Sequence, residues 1–379
     1  MYKQRLFAPG PTPVPEDTLL ELARPMFHHR TGEYRAMLEQ LTGDLQYIMQ
    51  TGQEVYTITG SGSAAMEAAV ANLVARDETM IAVRGGKFGE RWAEMGEAFG
   101  ARVVTLDIEW GTAVTADQIA EALKANPDTV AVFIQHCETS TGTAADVEAI
   151  AAAVAETDAC LVVDGITGVG ALPYHMDDWG VDVTVTGSQK ALMLPAGLAF
   201  LACSDKAWAK IDATDPPVYY VDLKAYRKSL AKWDNPWTPA NAMVRAALKS
   251  TGLIRSQGIE TVWAETRRRA EATRAAAKAL GLQLLSSSPS DSVTAIKVPD
   301  GIDGAALPKT MAETFGTRIA GGQAQLKGKI IRFSHMGYLD AFDVLAAVGA
   351  LEMAMARLGA DVDVGAGVAA AQKVLAAGV

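Results

Sequence analysis

The stretch VDVTVTGSQKALMLPAG, residues 181–197, decides how the chain is read. Val181, Val183 and Val185 alternate with polar residues, the period of a short strand, and Thr186, Gly187, Ser188 and Gln189 close it with small polar groups. Lys190 follows alone. No acidic residue stands between Asp182 and Ser204, and apolar residues and a Pro-Ala-Gly turn come next. Burying a lysine in such a setting disfavours its charged form, which lowers its pKa and leaves a usable amine for Schiff-base chemistry. Taken alone, Lys190 could equally be a surface lysine at a strand end.

Just upstream, ACLVVD at 159–164 is an apolar run closed by a carboxylate, the pattern of a buried parallel strand. Asp164 and Lys190 therefore each end a strand. In an open α/β sheet, ligands bind at that carboxyl edge, so the two groups can face one molecule. A strand-end aspartate by itself is as readily a helix cap. Paired with this lysine it suggests a pyridoxal phosphate site, where a lysine holds the aldehyde and a carboxylate keeps the ring nitrogen protonated.

The same rhythm runs back towards the N-terminus. Strands are predicted at 55–59, 80–83, 102–106 and 130–135, with helices at 63–75, 91–99, 116–125 and 146–156 between them. Repeated βα units with short connections make an α/β fold with a mainly parallel sheet. After Phe200 the pattern loosens. Residues 218–237 are rich in aromatic and basic groups, an interface composition, and NPWTP at 235–239 cannot be helix interior. A long charged helix at 260–280 then leads into an α+β unit: strand 293–298, helix 305–315, a turn at Gly321 and Gly322, strand 329–334 and helix 341–358. The division read from this is an N-terminal arm at 1–20, a large domain at 21–258 and a small C-terminal domain at 259–379. The proline-rich LFAPGPTPVP at 6–15 is expected to run extended over the surface. RPMFHHRTGEY at 24–34 is either a solvated loop or part of a site or interface, and the tail from Asp361 is a short docked helix or frayed.

Several strand ends offer further groups to the same edge. TGSGS at 59–63 lets backbone amides approach an anion at the start of a helix, although it also reads as a plain N-cap. The helix dipole adds only about 0.3–1 kcal/mol, so the turn could position a phosphate but not hold it unaided. GGKFGER at 85–91 carries Phe88, which could stack on an aromatic ring or cover the core. HCETSTGT at 136–143 supplies hydroxyls, or simply a turn. In KIIRFSH, Arg332 has no acidic neighbour in sequence; it either binds a ligand carboxylate or sits on a solvated face with Ile330 and Ser334.

Composition sets the outer bounds. Of 379 residues 49% are hydrophobic, ample for a large core, and 34 basic against 44 acidic residues give a net charge of −10 with no basic block. Nucleic acid and anionic membranes are poor partners for such a chain. The start lacks a signal-peptide pattern and no run reaches membrane-spanning length, so a soluble cytoplasmic protein is expected. The three cysteines, Cys137, Cys160 and Cys203, form no CxxC pair, and the five histidines show no HxxxH or HExxH spacing; neither a disulfide framework nor a metal site is expected.

APGPTPVP at 8–15, TGSGSAAMEAA at 59–69, HCETSTGT at 136–143, VVDGITGVGA at 162–171 and SQKALMLPAG at 188–197 together resemble the class V pyridoxal-phosphate aminotransferases, most closely the alanine–glyoxylate, serine–glyoxylate and serine–pyruvate branch. The likeness spans nearly the whole chain with its motifs in the family's order. GAGVAAAQKVL near the C-terminus also resembles members of the family named as the small subunit of a cyanobacterial soluble hydrogenase. The resemblance implies a fold-type-I homodimer: a mainly parallel seven-stranded sheet, a smaller α+β domain, and an active site shared between domains and subunits. It makes Lys190 the Schiff-base lysine and Asp164 the partner of the pyridine nitrogen. Ser61, Gly62 and Ser63 become the phosphate turn with Gln189 beside it, Phe88 the ring-stacking aromatic, and Thr139 the group near the ring hydroxyl. Thr238 would reach the neighbouring subunit's phosphate, Arg332 would grip the substrate carboxylate, and Gly10 would border the substrate. Asn235 stands near where relatives place a tyrosine, a departure from the pattern.

The expected activity is transfer of an amino group from alanine or serine to glyoxylate or pyruvate. A different class V aminotransferase is an alternative. So is a desulfurase-like lyase, although residues 321–329 lack the cysteine that a desulfurase needs, or a non-catalytic subunit associated with a hydrogenase, for which the cysteines lack cluster-ligating spacing.

Overall fold

The computed structural model describes residues 3–377. Seven strands form the large sheet, in the spatial order Val55–Gly60, Gly197–Cys203, Val183–Gly187, Cys160–Asp164, Thr129–Gln135, Thr79–Arg84 and Arg102–Asp107. The pairs from Val183–Gly187 out to Arg102–Asp107 are parallel, whereas Gly197–Cys203 runs antiparallel to both of its neighbours. The sequence does not announce that reversed strand, because an apolar run buried on both faces reads alike in either direction. Its interior residues are buried, as are those of Cys160–Asp164 and Val183–Gly187, so the central strands supply the core.

The predicted βα rhythm is present, with helices Gly62–Leu73, Lys87–Phe99, Ala116–Ala125 and Val147–Ala155 between the strands. Thr115 closes a capping box with Gln118, and Asp146 accepts from the Ala149 amide, which fixes where two of these helices begin. Two helices that the periodicity did not mark, Gly32–Met49 and Asn241–Gln257, pack on each other. Their inward faces carry polar residues such as Asp44, Thr251 and Arg245, which blurs the apolar stripe. Thr251 Oγ1 donates to Asp44 Oδ2 at 3.0 Å between them.

The chain continues through Ile259–Ala279 into an antiparallel sheet ordered Val293–Lys297, Ile330–Ser334, Ala320–Gly321, backed by helices Ala306–Phe315 and Ala341–Arg357. The tail forms the helix Ala366–Ala376, which docks through buried Ala371 and Leu375, the first of the two outcomes foreseen for it.

The N-terminal arm corrects an expectation. It is extended, but it does not lie on the surface: Arg5–Leu6 pairs with Thr317–Arg318, and Phe7 is 2% exposed within the core that holds Ile331 and Phe333. Phe7 also accepts from the Ser334 amide at 2.8 Å. An aromatic residue in a proline-rich segment is enough to pull that segment into a core, because its burial outweighs that of the short side chains around it.

Candidate active site

Five parallel strands bring their carboxyl ends to one edge, at Gly60, Arg84, Gln135, Asp164 and Gly187. The loops that follow carry nearly every residue singled out in the sequence, so the edge is built by topology rather than by any one motif.

Asp164 is 4% exposed. Its Oδ1 accepts from the Ile166 amide at 2.8 Å, and this is the one hydrogen bond its carboxylate makes among the described residues. Burial pushes its pKa up to about 7, with Glu138 adding to the rise, while the Ile166 bond, Lys190 and Arg91 oppose it. Lys190 is largely enclosed, and burial brings its amine down to about 8 despite Asp164, with Arg332 and Arg91 lowering it further. Its Nζ donates to the Pro9 carbonyl at 2.5 Å, and Thr12 Oγ1 donates to the Lys190 carbonyl at 2.7 Å. The arm thus holds the lysine from above. At Gly10, φ is +145° and a Cβ would come within 2.2 Å of Lys190 Nζ, so only glycine leaves room for the amine. An open cleft of about 520 Å³ lies beside it, lined by Gly10, Thr12, Val14, Gln189, Lys190 and Pro195.

Arg332 is 5% exposed, which removes the solvated-face reading; Ile330 and Ser334 on the same face are buried with it. Its Nε and Nη2 donate to the Gly321 carbonyl at 3.0 and 2.8 Å, and Nη1 donates to the Thr139 carbonyl at 2.9 Å. These bonds tie the guanidinium to the loop that follows Thr129–Gln135 and leave two of its five N–H groups unused. It forms no ion pair among the described residues. Burial lowers its pKa, and Glu138 is the first charge that opposes the fall.

The turn at 61–63 begins the helix Gly62–Leu73. Ser61 is exposed and its side chain makes no capping bond, so the plain N-cap reading fails; its carbonyl accepts from the Ala64 amide at 2.8 Å, while the Gly62 and Ser63 amides have no partner among the described residues. Gly62 packs against Ile166, where a Cβ would meet Cδ1 at 2.6 Å. A Cβ at Gly187 would stand 3.1 Å from Gln189 Oε1 and 3.3 Å from Gly62 N, which places the Gln189 amide beside the turn. Gln189 Oε1 is buried with no hydrogen-bond partner. Thr139 is buried, its Oγ1 2.8 Å from Thr167 Oγ1. Phe88 is half-buried in the first turn of Lys87–Phe99 rather than sunk in the core.

Two site groups escaped the sequence reading. Glu138 accepts from the Phe88 and Gly89 amides at 3.1 and 2.9 Å, and from the Ser140 amide and hydroxyl at 3.0 and 2.6 Å. It caps the Phe88 helix from a distant loop, where Gly86 has no side chain to do so. Arg91 donates from Nη1 to Ser63 Oγ at 3.0 Å, and its Cζ lies 5.1 Å from the Phe88 ring centroid. Both pairings span more than twenty-five residues, so no local motif could show them.

Two residues lie apart. Thr238 is exposed, and Asn235 is buried, giving Nδ2 to the Thr57 carbonyl at 2.9 Å and accepting from the Tyr34 hydroxyl. Asn235 is thus spent on the fold and does not stand in for the relatives' tyrosine.

Asp164 at one strand end, Lys190 three residues past the neighbouring strand, the glycine turn at 61–63 and the buried Arg332 thus lie about one sheet edge. The chain belongs to the class V aminotransferases, whose family profile matches residues 17–362; the family uses pyridoxal phosphate. It is 38% identical to the soluble hydrogenase small subunit of Synechococcus sp. (strain PCC 6716), with 98% of each chain covered. It is 36% identical to the serine–glyoxylate aminotransferase of Hyphomicrobium methylovorum, over 97% of this chain and 93% of the relative. Its structure is similar to ureidoglycine–glyoxylate aminotransferase from Bacillus subtilis, with a TM-score of 0.94, 28% identity, and 99% and 98% of the two chains covered. The fold expected from the resemblance, a mainly parallel seven-stranded sheet followed by a smaller α+β part, is the fold observed, the latter built on a small antiparallel sheet. Among the described residues, no helix is long and apolar enough to cross a membrane.

Proposed function

We propose that the chain transfers the amino group of alanine or serine to glyoxylate or pyruvate, with pyridoxal phosphate held at the Lys190 edge. The observation that carries the reading is the convergence there of an amine brought down to about 8, a buried carboxylate with one oxygen unspent, and a buried arginine without a carboxylate partner among the described residues. The residues fit the cofactor. Lys190 would hold its aldehyde, Asp164 its ring nitrogen and Phe88 its ring face. Thr139 would lie near its hydroxyl, and Ser61, Gly62 and Ser63 would gather about its phosphate with Gln189 beside them.

When bound, the cofactor supplies a protonated ring that accepts the electron pair left when Cα loses its proton. The work of the chain is to arrange this. Asp164, its pKa pushed up to about 7 by burial, is only about half ionised in the bare site at pH 7 and would become fully a carboxylate once a cationic N–H faced it, because the favourable charge pair would outweigh its desolvation. Lys190, near neutrality in pKa, removes and returns protons as general base and acid. Arg332 fixes the substrate carboxylate through its two free N–H groups. The Pro9 carbonyl holds the Lys190 amine in place, and Gly10 leaves it room. Glyoxylate suits the site as acceptor because it is little more than a carboxylate and an aldehyde.

The homodimer belongs to the same proposal. Thr238 is exposed beside the stacked rings of Tyr219 and Trp237, 4.4 Å apart, a surface suited to a second copy.

The test is product analysis of the purified chain with L-alanine or L-serine and glyoxylate. Glycine should form together with pyruvate or hydroxypyruvate in equal amounts. No glycine from either donor would refute the proposed substrates.

A further inference from the structure

We propose that Arg91 is a positioning residue for the cofactor phosphate, acting through Ser63; this rests on the reading above. A serine hydroxyl has one proton to give and two lone pairs to receive with. Arg91 Nη1 fills one lone pair of Ser63 Oγ at 3.0 Å, and an arginine can only donate. The Ser63 proton is therefore left for an acceptor. Ser63 stands in the first turn of Gly62–Leu73, where Ser61 gives no side-chain cap and the Gly62 and Ser63 amides have no partner among the described residues. An acceptor arriving there is an anion.

Charge points the same way. Arg91 has no ion pair among the described residues, yet it is close enough to lower the pKa of both Asp164 and Lys190. A half-buried cation left without a carboxylate, at a turn of free amides, matches a phosphate dianion. The same guanidinium lies 5.1 Å from the Phe88 ring centroid, three residues earlier on one helix face, so the turn and that ring are close neighbours. Neither the glycine turn nor the helix start would by itself supply a full positive charge; Arg91 does.

The experiment compares the full chain, freed of cofactor, in titrations with pyridoxal phosphate and with pyridoxal, which lacks the phosphate, followed by tryptophan fluorescence. Arg91→Met should weaken pyridoxal phosphate binding about tenfold or more and leave pyridoxal within about twofold, as expected for loss of a charge-assisted contact. Arg91→Lys should recover part of the loss. Ser63→Ala should weaken pyridoxal phosphate in the same selective way, and the double variant should be little worse than the worse single one, since the two act in series. Equal losses for both compounds would mean that Arg91 serves only the Phe88 surface, and fully additive effects would mean that it does not act through Ser63; either overturns the proposal while leaving the function standing. A wild-type chain that binds pyridoxal phosphate no better than pyridoxal would overturn both.

Discussion

Two buried carboxylates at the same sheet edge behave in opposite ways. Glu138 is 5% exposed and accepts four hydrogen bonds, from the Phe88, Gly89 and Ser140 amides and the Ser140 hydroxyl. Asp164 is 4% exposed and accepts one, from the Ile166 amide. Burial raises the pKa of both. The difference is in capacity left over: Glu138 is closed and holds a helix start, while Asp164 keeps an oxygen for something outside the chain. Burial alone does not mark a functional acid. Unspent hydrogen-bonding capacity in a buried acid does, because the fold bears the desolvation cost without compensation until a ligand arrives.

The comparison can be broken most severely at Lys190, the group with which Asp164 is paired. Lys190→Ala should abolish glycine formation from alanine or serine with glyoxylate, since both the attachment point and the proton carrier are lost; measurable turnover would remove the lysine from the mechanism. Next in size is Asp164→Asn. It should weaken the cofactor roughly 10–150-fold, the range for losing a hydrogen bond to a charged group, and depress turnover with it. Stability supplies the opposite sign. A carboxyl whose folded pKa is raised to about 7 costs stability progressively as pH climbs from its unfolded value of 3.8 through 7, and fully above that. The cofactor-free Asp164→Asn variant should therefore melt higher than wild type at pH 8 and alike at pH 4. Equal melting at both would show that Asp164 is not strained by burial.

Arg332→Lys should raise the donor KM about tenfold with a smaller change in kcat, because an ammonium cannot reproduce the paired N–H geometry. The smallest effect on activity is expected at Glu138. Glu138→Gln turns an NH₂ towards amides that already donate, and should cost about 1–3 kcal/mol in urea unfolding at pH 7 while shifting cofactor affinity far less than Asp164→Asn. A larger affinity loss at Glu138 than at Asp164 would invert the comparison.

Much of this site is legible in the sequence, and the reason is local. Asp164 ends an apolar strand and Lys190 follows the next one by three residues, and parallel strands deliver their ends to one edge. The antiparallel Gly197–Cys203 is silent, since its all-apolar run carries no direction. Arg332 is ambiguous in sequence because alternation gives a strand two faces without saying which one is covered; the contact with Thr139, 193 residues away, decides it. Glu138 and Arg91 were missed because their partners come from other loops, and the arm was misjudged because one residue, Phe7, anchors it.

On the proposed function, Lys190 and Asp164 form an open site that takes up pyridoxal phosphate and passes an amino group through it. The most direct test is the visible absorption spectrum of the purified chain supplied with pyridoxal phosphate, recorded before and after L-alanine or L-serine and again after glyoxylate. The account predicts a yellow band that moves to shorter wavelength with the amino acid and returns with glyoxylate. A chain that stays colourless with added pyridoxal phosphate would contradict it.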